Sequence, residues 1–314
     1  MTEKILGQEE NKHHVTDFSW SYLHPRYWLL WLWFGFLWSV TRLPYPLVYR
    51  IGRGFGLLCL KLLPKRREIA DRNVELCFPD KTPAEREQIV RESFAGGGLT
   101  IFESGLLWWP AKNLFDRLEM KGMEHIERLR AEGKPVLVFG LHNTPMEIAA
   151  ASISLYVPFN GLMRVNDNPC WEYVANRCRG RYNLRILPRK LVKELLGYMQ
   201  QGEVGLMLPD QDFGRRRSVF VPFFGISTAT VPSVSDFAQQ ANAAVIFMNF
   251  YRKGSKGYCV ELSEPLDNFP TNDLVADTAR ISLITEEAIR QRPGEYLWQH
   301  RRFKTRPEGE TSLY

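Results

Sequence analysis

The residues best suited to acid–base chemistry in this chain follow the apolar run PVLVFGL, residues 135–141. This run is rich in Val, Leu and Phe and predicts a buried strand, whereas the following HNTPMEIAA begins a helical pattern. His142 is then expected at the carboxyl end of a strand, and Glu147 in the first turn of the next helix. Active sites of parallel α/β sheets lie beyond such strand ends, so His142 is a candidate general base.

A local structural explanation competes with the catalytic one. Thr144, Pro145 and Glu147 match a capping box at the start of a helix, and the same pattern occurs at residues 82–85 with no obvious chemistry nearby. This pattern alone accounts for Glu147, and an isolated histidine is more often structural than catalytic. The spacing of His142 and Glu147 therefore leaves both interpretations open.

Further charged residues are expected at the same edge of the sheet. Arg164 ends the predicted strand NGLMR, and Asp210 and Asp212 follow the predicted strand VGLML. The chain has neither a G-x-S-x-G nucleophile elbow nor an H-E-x-x-H motif, and its DFG lacks the other kinase motifs. A base without a protein nucleophile fits direct attack by an activated substrate hydroxyl on a bound acyl donor.

These residues must be positioned by strands and helices, and the sequence pattern around them predicts an α/β fold with a mainly parallel sheet flanked by helices. From about residue 120, short runs rich in Val, Ile, Leu and Phe alternate with amphipathic stretches. We assign residues 119–314 to this α/β core and 46–118 to a helical lead, and together they form one cytoplasmic-face domain. In the lead, Gly52, Gly54 and Gly56 indicate close helix packing, because no strand precedes them as a nucleotide loop would require.

Residues 24–45 are predicted to form a membrane-anchoring helix, after an N-terminal tail over residues 1–23. No charge occurs from Tyr27 to Thr41, and this run contains four tryptophans, which prefer the membrane boundary. The uncharged run is shorter than the roughly 20 apolar residues of a bilayer span, but its tryptophans favour a spanning or deeply inserted helix over a core helix. The many Lys and Arg residues that follow place the body on the cytoplasmic side.

Composition narrows the class of protein and of partner. The chain has 314 residues, of which 45% are hydrophobic, and this excludes a disordered or collagen-like protein. Its net charge of +6 favours phosphate, acidic proteins or anionic membranes as partners. The five cysteines form neither a C-x-x-C pair nor a cluster with histidine, which indicates a reducing compartment. We expect neither a metal nor another cofactor.

Several separated segments together resemble the late acyltransferases of bacterial lipid A biosynthesis, of the lauroyl type, in the lysophospholipid acyltransferase-like superfamily. These segments are HPRYWL, RNVELCFP, GMEHI, HNTPME, MRVNDNP, PDQDFG, SVFVPFF and EYLWQHRRFKTRPEG. The resemblance runs from about His24 to the C-terminus. It implies an enzyme of the inner membrane of Gram-negative bacteria, with its catalytic domain on the cytoplasmic side and no nucleic-acid partner.

The resemblance also implies a reaction and its residues. An acyl chain, lauroyl by this likeness, passes from an acyl carrier protein thioester to a hydroxyacyl chain of the Kdo-bearing lipid A precursor, Kdo2-lipid IVA. His142 is then the general base, and Glu147 is the carboxylate that orients it and balances its charge. The residues expected to bind substrate are Arg164, Asp210, Asp212, Arg301 and Arg302. The last two, in QHRRFKTR, suit lipid phosphates and Kdo carboxylates.

Two other functions fit the same features. The chain could acylate a different lipid, such as a lysophospholipid or an ornithine lipid. It could also be a membrane-anchored protein that binds anionic lipid or nucleic acid without catalysis, because its cations and aromatic residues suit that role as well. Release of thiol from an acyl carrier thioester, dependent on His142, separates the enzyme from the binding protein.

Overall fold

The computed structural model describes residues 17–109 and 114–314. The α-helices of these residues are α1 (Trp28–Val40), α2 (Tyr45–Leu62), α3 (Pro64–Cys77), α4 (Pro83–Trp108), α5 (Met123–Ala131), α6 (Met146–Ile153), α7 (Pro169–Arg179), α8 (Val192–Gln200), α9 (Ser233–Ala241) and α10 (Leu274–Gln291). The strands are β1 (Leu118–Lys121), β2 (Val136–Phe139), β3 (Phe159–Met163), β4 (Leu184–Pro188), β5 (Val204–Met207), β6 (Val219–Phe223), β7 (Ile226–Thr230), β8 (Ala244–Arg252) and β9 (Tyr258–Pro265).

Most of the described strands form one sheet, in the order β1-β9-β8-β2-β5-β3-β4. Neighbouring strands are parallel except β8 and β9, which are antiparallel. The central strand β2 is buried along its whole length, which explains its continuous apolar sequence. The predicted α/β fold with a mainly parallel sheet flanked by helices is therefore confirmed. The predicted strand SVFVPFF lies outside this sheet, because it is β6 of a separate antiparallel hairpin with β7.

The membrane-anchoring helix predicted over residues 24–45 is not supported. α1 covers only 13 residues, and the chain turns between Thr41 and Pro44 before α2 begins. Pro44 disfavours a helical conformation at the residue before it, so the apolar run is divided between two helices. One side of α1 also packs on the protein, since the Phe34 ring lies 5.9 Å from that of Trp108 and 5.6 Å from that of Trp171. Among the described residues, no helix combines the length and the apolar character that crossing a membrane requires.

Two of the three glycines of α2, Gly52 and Gly56, lie where this helix crosses α4. A Cβ atom built on Gly56 would lie 2.1 Å from the carbonyl oxygen of Phe94, and one on Gly98 would lie 2.3 Å from the Cα of Gly56. Both distances are far below van der Waals contact, so the two backbones approach too closely for any side chain. The prediction of close helix packing is confirmed for Gly52 and Gly56 and wrong for Gly54, where a Cβ would meet no described atom within 4 Å. The same close contact includes Gly98 of α4. This packing fixes α4, one side of which faces the site described below.

Gly98→Ala is expected to lower the free energy of unfolding by roughly 1–3 kcal/mol, because overpacking forces the helices apart. Gly97→Ala is the matched control, since a Cβ there meets no described atom within 4 Å. Alanine is the better helix former by up to about 1 kcal/mol, so the control should be neutral or slightly stabilising. Thermal unfolding of both variants in the same detergent measures the difference. Equal melting temperatures would contradict the close contact of α2 and α4.

Candidate active site

His142 and Asp210 form the central pair of the site, and the sheet places them side by side. In the register of β2 with β5, Phe139 lies opposite Met207. His142 comes three residues after Phe139, and Asp210 comes three residues after Met207. The Nδ1 atom of His142 lies 2.6 Å from Oδ1 of Asp210, and the backbone N–H of His142 donates to Oδ2 at 2.8 Å. The pair therefore results from two parallel strands ending together.

The environment of this pair suits a general base. The Asp210 side chain is only 2% exposed, whereas that of His142 is 20% exposed. A carboxylate that accepts from Nδ1 favours the tautomer with a proton on Nδ1, so Nε2 keeps its lone pair for a substrate proton. Burial by itself would raise the pKa of Asp210, but the charge of His142 and its hydrogen bonds outweigh burial and lower this pKa. Asp210 therefore stays ionised and can stabilise an imidazolium.

The carboxylate that contacts His142 is thus Asp210. The sequence predicted Glu147 for this role. Glu147 extends from the first turn of α6 towards α4 and α7. Its carboxylate accepts from Arg179 Nε at 2.9 Å, from Ser104 Oγ at 2.6 Å and from Trp108 Nε1 at 3.4 Å. Burial would raise the pKa of Glu147, but the charge of Arg179 and these hydrogen bonds lower it. Glu147 is therefore an ionised group that joins three helices beside the His142 turn.

The capping box that was the alternative explanation for Glu147 does not form. α6 begins after Pro145, and no side chain of the described residues caps it. Thr144 instead donates its hydroxyl to Glu295 at 2.9 Å, and its hydroxyl oxygen accepts from Arg252 rather than from the helix start. The same pattern does form a complete capping box at Thr82 and Glu85, at the start of α4. Local sequence alone could not distinguish these two occurrences.

The C-terminal segment holds the turn after His142. The backbone N–H of Leu297 donates to the carbonyl of His142 at 3.1 Å, and Asn143 forms an antiparallel bridge with Tyr296. The Tyr296 hydroxyl in turn donates to the carbonyl of Asp210 at 3.4 Å. Both members of the central pair are therefore braced by residues far away in the sequence.

A family comparison decides what kind of enzyme carries this site. The family described as bacterial lipid A biosynthesis acyltransferase matches residues 15–305. The chain belongs to this family. It is 38% identical to the lipid A biosynthesis lauroyltransferase of Escherichia coli K12, over 96% of this chain and 99% of that protein. It is 35% identical to the palmitoleoyltransferase of the same organism, over 95% and 98%, and 29% identical to its myristoyltransferase, over 98% and 96%.

Two residues of this acyltransferase that were predicted to bind substrate form hydrogen bonds with other residues of the protein. The buried carboxylate of Asp212 accepts from the backbone and hydroxyl of Thr305 at 2.7 and 2.9 Å, and from Gly214 N at 2.8 Å. The buried Arg302 donates to the carbonyl of Ala229 and to the hydroxyl of Thr230, both at 2.7 Å. These contacts attach the C-terminal segment to the loop after β5 and to the β6–β7 hairpin. Asp212 and Arg302 therefore have structural partners within the protein, and their assignment to the substrate stays a prediction.

The other two predicted cations of the acyltransferase are on its surface. Arg164 is 70% exposed and pairs with Asp167 at 2.7 Å, in the loop that follows β3. Arg301 is exposed, and its guanidinium lies over the ring of Tyr314. Both can reach a ligand from the solvent, so their assignment to the substrate stays a prediction.

Arg179 and Ser104 hold Glu147 in the acyltransferase, and sequence reasoning did not identify either of them. Arg179 is the last residue of α7 and Ser104 lies within α4, so no local motif connects them with residue 147. His300, the histidine of the predicted basic stretch QHRRFKTR, also lies near the central pair. Its Nε2 accepts from the backbone N–H of Asp212 at 3.3 Å, and burial, followed by the charge of His142, lowers its pKa. A neutral imidazole is therefore expected there.

Proposed function

We propose that this acyltransferase moves a lauroyl chain from an acyl carrier protein thioester to a hydroxyacyl chain of Kdo2-lipid IVA. The observation that carries the proposal is the His142–Asp210 pair, in which a buried carboxylate holds Nδ1 and leaves Nε2 as the base. The choice of lauroyl is supported by the identity of 38% with the lauroyltransferase, compared with 35% and 29% for the relatives named for other chains.

With a proton on Nδ1 of His142, the nitrogen that can accept a substrate proton is Nε2, and the proposed reaction follows from this. Nε2 of His142 removes the proton of the acceptor hydroxyl while that oxygen attacks the carbonyl carbon of the thioester. The tetrahedral intermediate then breaks its carbon–sulfur bond, and the imidazolium returns the proton to the departing thiolate. Asp210 stabilises the imidazolium between these steps, as a carboxylate behind a catalytic histidine does. The products are an ester on the lipid and a free carrier thiol, and the proposed reaction requires no metal or other cofactor.

The anionic acceptor is proposed to bind along the carboxyl edge of the sheet. In the register of β3 with β4, Met163 lies opposite Pro188, so Arg164 and Arg189 follow on adjacent strands. Arg189 also stacks over the ring of Phe213, in the loop after β5 that carries Asp210. Guanidinium groups bind phosphates and carboxylates through paired hydrogen bonds, which suits the phosphates and Kdo sugars of the acceptor. Exposed cations also suit the acidic carrier protein.

A purified full-length preparation tests the function. It is incubated with lauroyl carrier protein and Kdo2-lipid IVA in buffer containing EDTA, while thiol release and lipid mass are followed. We expect one thiol released for each acceptor that gains a lauroyl mass. Parallel reactions with lysophospholipid and ornithine lipid, and with decanoyl, myristoyl and palmitoyl donors, measure the specificity. A preference for another lipid or another chain contradicts the corresponding part of the proposal, and thiol release without lipid acylation contradicts the whole.

The enzyme is also proposed to bind the cytoplasmic face of the inner membrane through an N-terminal apolar surface. We define this surface as Trp20, Trp28, Leu29, Leu32 and Phe36. Its most exposed members are Leu29, which is 82% exposed, and Trp20, which is 80% exposed. Large apolar groups beside cations such as Arg26 are typical of interfacial membrane binding. This surface replaces the predicted spanning helix as the proposed membrane attachment.

Replacing Leu29 and Leu32 by Glu should weaken binding to anionic vesicles at least about tenfold. Burying one leucine in an apolar medium contributes roughly 1.5–3 kcal/mol, and the new charges would also repel the lipid. Leu283→Glu is the control, because Leu283 is 54% exposed but lies on α10, outside the defined surface. Co-sedimentation with phosphatidylethanolamine–phosphatidylglycerol vesicles measures both. Unchanged sedimentation of the double variant would contradict membrane binding by this surface.

A further inference from the structure

Arg252, the last residue of β8, lies in a buried cluster of ionic and polar groups. Its side chain is only 3% exposed, and that of its partner Glu103 is 1% exposed. Nε of Arg252 donates to Glu103 at 2.8 Å, and Nη2 donates to the other oxygen of the same carboxylate. Nη1 donates to Glu295 at 3.0 Å, and Nη2 reaches Thr100 Oγ1 at 3.1 Å. We call these residues, together with Thr144, the Arg252 cluster.

Thr144 connects this cluster to the active site, because it follows His142 by two residues. Each polar group of Thr144 is bound by the cluster. Its hydroxyl accepts from Arg252 and donates to Glu295, its backbone N–H donates to the Glu295 carbonyl at 2.9 Å, and its own carbonyl accepts from Thr100. The backbone that leaves His142 is therefore fixed at several points within one residue.

The cluster also reaches the other end of the His142 turn. Glu295 precedes Tyr296 and Leu297, which bind Asp210 and the carbonyl of His142. A displacement of Glu295 would therefore move both members of the catalytic pair. Arg252 is the group that holds Glu295 and Thr144 in place together, since its Nη1 donates to both.

The chemistry of arginine explains why this residue type is required. A guanidinium presents five N–H donors in a rigid plane, so one side chain can bind a carboxylate through two atoms and still reach further acceptors. Lysine has a single nitrogen and cannot reproduce this geometry. Burying such a charge is costly unless it is fully paired, and the net stability of a buried ion pair is often small. A role in placing the catalytic turn accounts for a cluster that stability alone explains poorly.

We propose that Arg252 is a positioning residue of the acyl transfer, which acts through Thr144 and Glu295 to place Nε2 of His142 against the acceptor hydroxyl. The proposal rests on the proposed function of His142 as the base. It predicts that disturbing the cluster lowers kcat, whereas the KM values for donor and acceptor stay nearly constant, because the side chains of Arg252 and Glu103, 3% and 1% exposed, are shielded from a substrate that arrives from solvent.

Gly96→Ala disturbs the cluster without removing a charge. A Cβ on Gly96 would lie 2.8 Å from Thr144 Oγ1 and 3.2 Å from Arg252 Nη1, whereas Gly97 on the next position of α4 has free space. We expect Gly96→Ala to lower kcat about 10- to 100-fold, as small displacements of catalytic groups do. Gly97→Ala should keep the wild-type kcat and both KM values. Activities are expressed per folded enzyme and measured well below the melting temperature of each variant.

Substitutions of Thr144 and Arg252 complete the test. Thr144→Val keeps the shape of the side chain but loses the hydroxyl, and it should lower kcat at least about tenfold. Thr144→Ser retains the hydroxyl and should keep most of the wild-type kcat. Arg252→Lys should behave like Thr144→Val if it folds, and the other variants decide the matter if it does not. Wild-type kcat in both Gly96→Ala and Thr144→Val would overturn the proposal, as would equal losses in Gly97→Ala or a defect confined to KM. A wild-type enzyme without acyl transfer would instead refute the proposed function.

Discussion

His142→Ala is expected to fold normally and to lose roughly 10²-fold or more in kcat for acyl transfer. Removal of a general base typically costs between about 10² and 10⁴ in rate. Because Asp210 binds Nδ1 of His142, the lone pair on Nε2 is available to accept a proton. Loss of this imidazole should therefore lower the rate of the chemical step and leave both KM values unchanged. Thiol release and lipid mass, measured with saturating lauroyl carrier protein and Kdo2-lipid IVA, give this value.

His125→Ala is the matched control, because His125 is a partly buried histidine of α5 that pairs with Glu264 of β9, and β8 and β2 separate β9 from β5 in the sheet. It should keep wild-type turnover. Asp210→Asn should lose nearly as much activity as His142→Ala, since an amide cannot stabilise the imidazolium by its charge. Near-normal turnover of His142→Ala would refute the mechanism, whereas loss of activity in the His125 variant would show that histidine removal acts through folding.

Glu147→Gln is expected to be the most destabilising of the conservative substitutions in the site. Arg179 would be left in a mostly buried position without its carboxylate, and breaking a buried ion pair on one side costs roughly 3–5 kcal/mol. The melting temperature should therefore fall by on the order of 10 °C. If Glu147 oriented His142 directly, activity would fall with an unchanged melting temperature. Thermal unfolding and turnover of the same preparation separate the two roles.

Three comparisons make this second result decisive. Glu75→Gln is the control, because Glu75 pairs with Arg72 on the surface and such pairs contribute about 0–1 kcal/mol. The double variant Glu147→Gln with Arg179→Met should be more stable than Glu147→Gln alone, because both charges are then removed. The lowered pKa of Glu147 means that its ionised form stabilises the fold at neutral pH and loses this contribution as the pH falls through the folded-state pKa. The difference between wild type and Glu147→Gln should accordingly shrink in acid, and a constant difference would contradict the ion pair.

The amino-acid sequence by itself determined the fold class and the edge of the sheet at which His142 and Asp210 lie. Alternation of apolar runs with amphipathic stretches is a local pattern, and it predicts a parallel sheet covered by helices. Because His142 and Asp210 each follow such a run, both were expected beyond strand ends. The resemblance of several ordered segments also identified the family, since sequence segments remain recognisable without any knowledge of their contacts.

Only the tertiary structure decided which charged groups meet. Strand order places β5 beside β2, and their register brings Asp210 to His142 across 68 residues of chain. Glu147 is much nearer in sequence, but α6 turns it towards Arg179. Spacing predicts contacts within one helix turn or along one strand, whereas partners that are distant in sequence depend on how strands are ordered and helices packed.

Burial in the N-terminal helices and in the C-terminal segment also depends on tertiary packing. Hydropathy counts the apolar residues of α1 but does not detect that α4 and α7 cover one side of it, nor that the chain turns before Pro44. Arg302 looks like a surface cation in its own segment, yet it is buried because the β6–β7 hairpin folds over it. Burial is a property of the whole packed chain, so the residues that leave solvent, and the partners that then satisfy them, are decided only when all the elements are assembled.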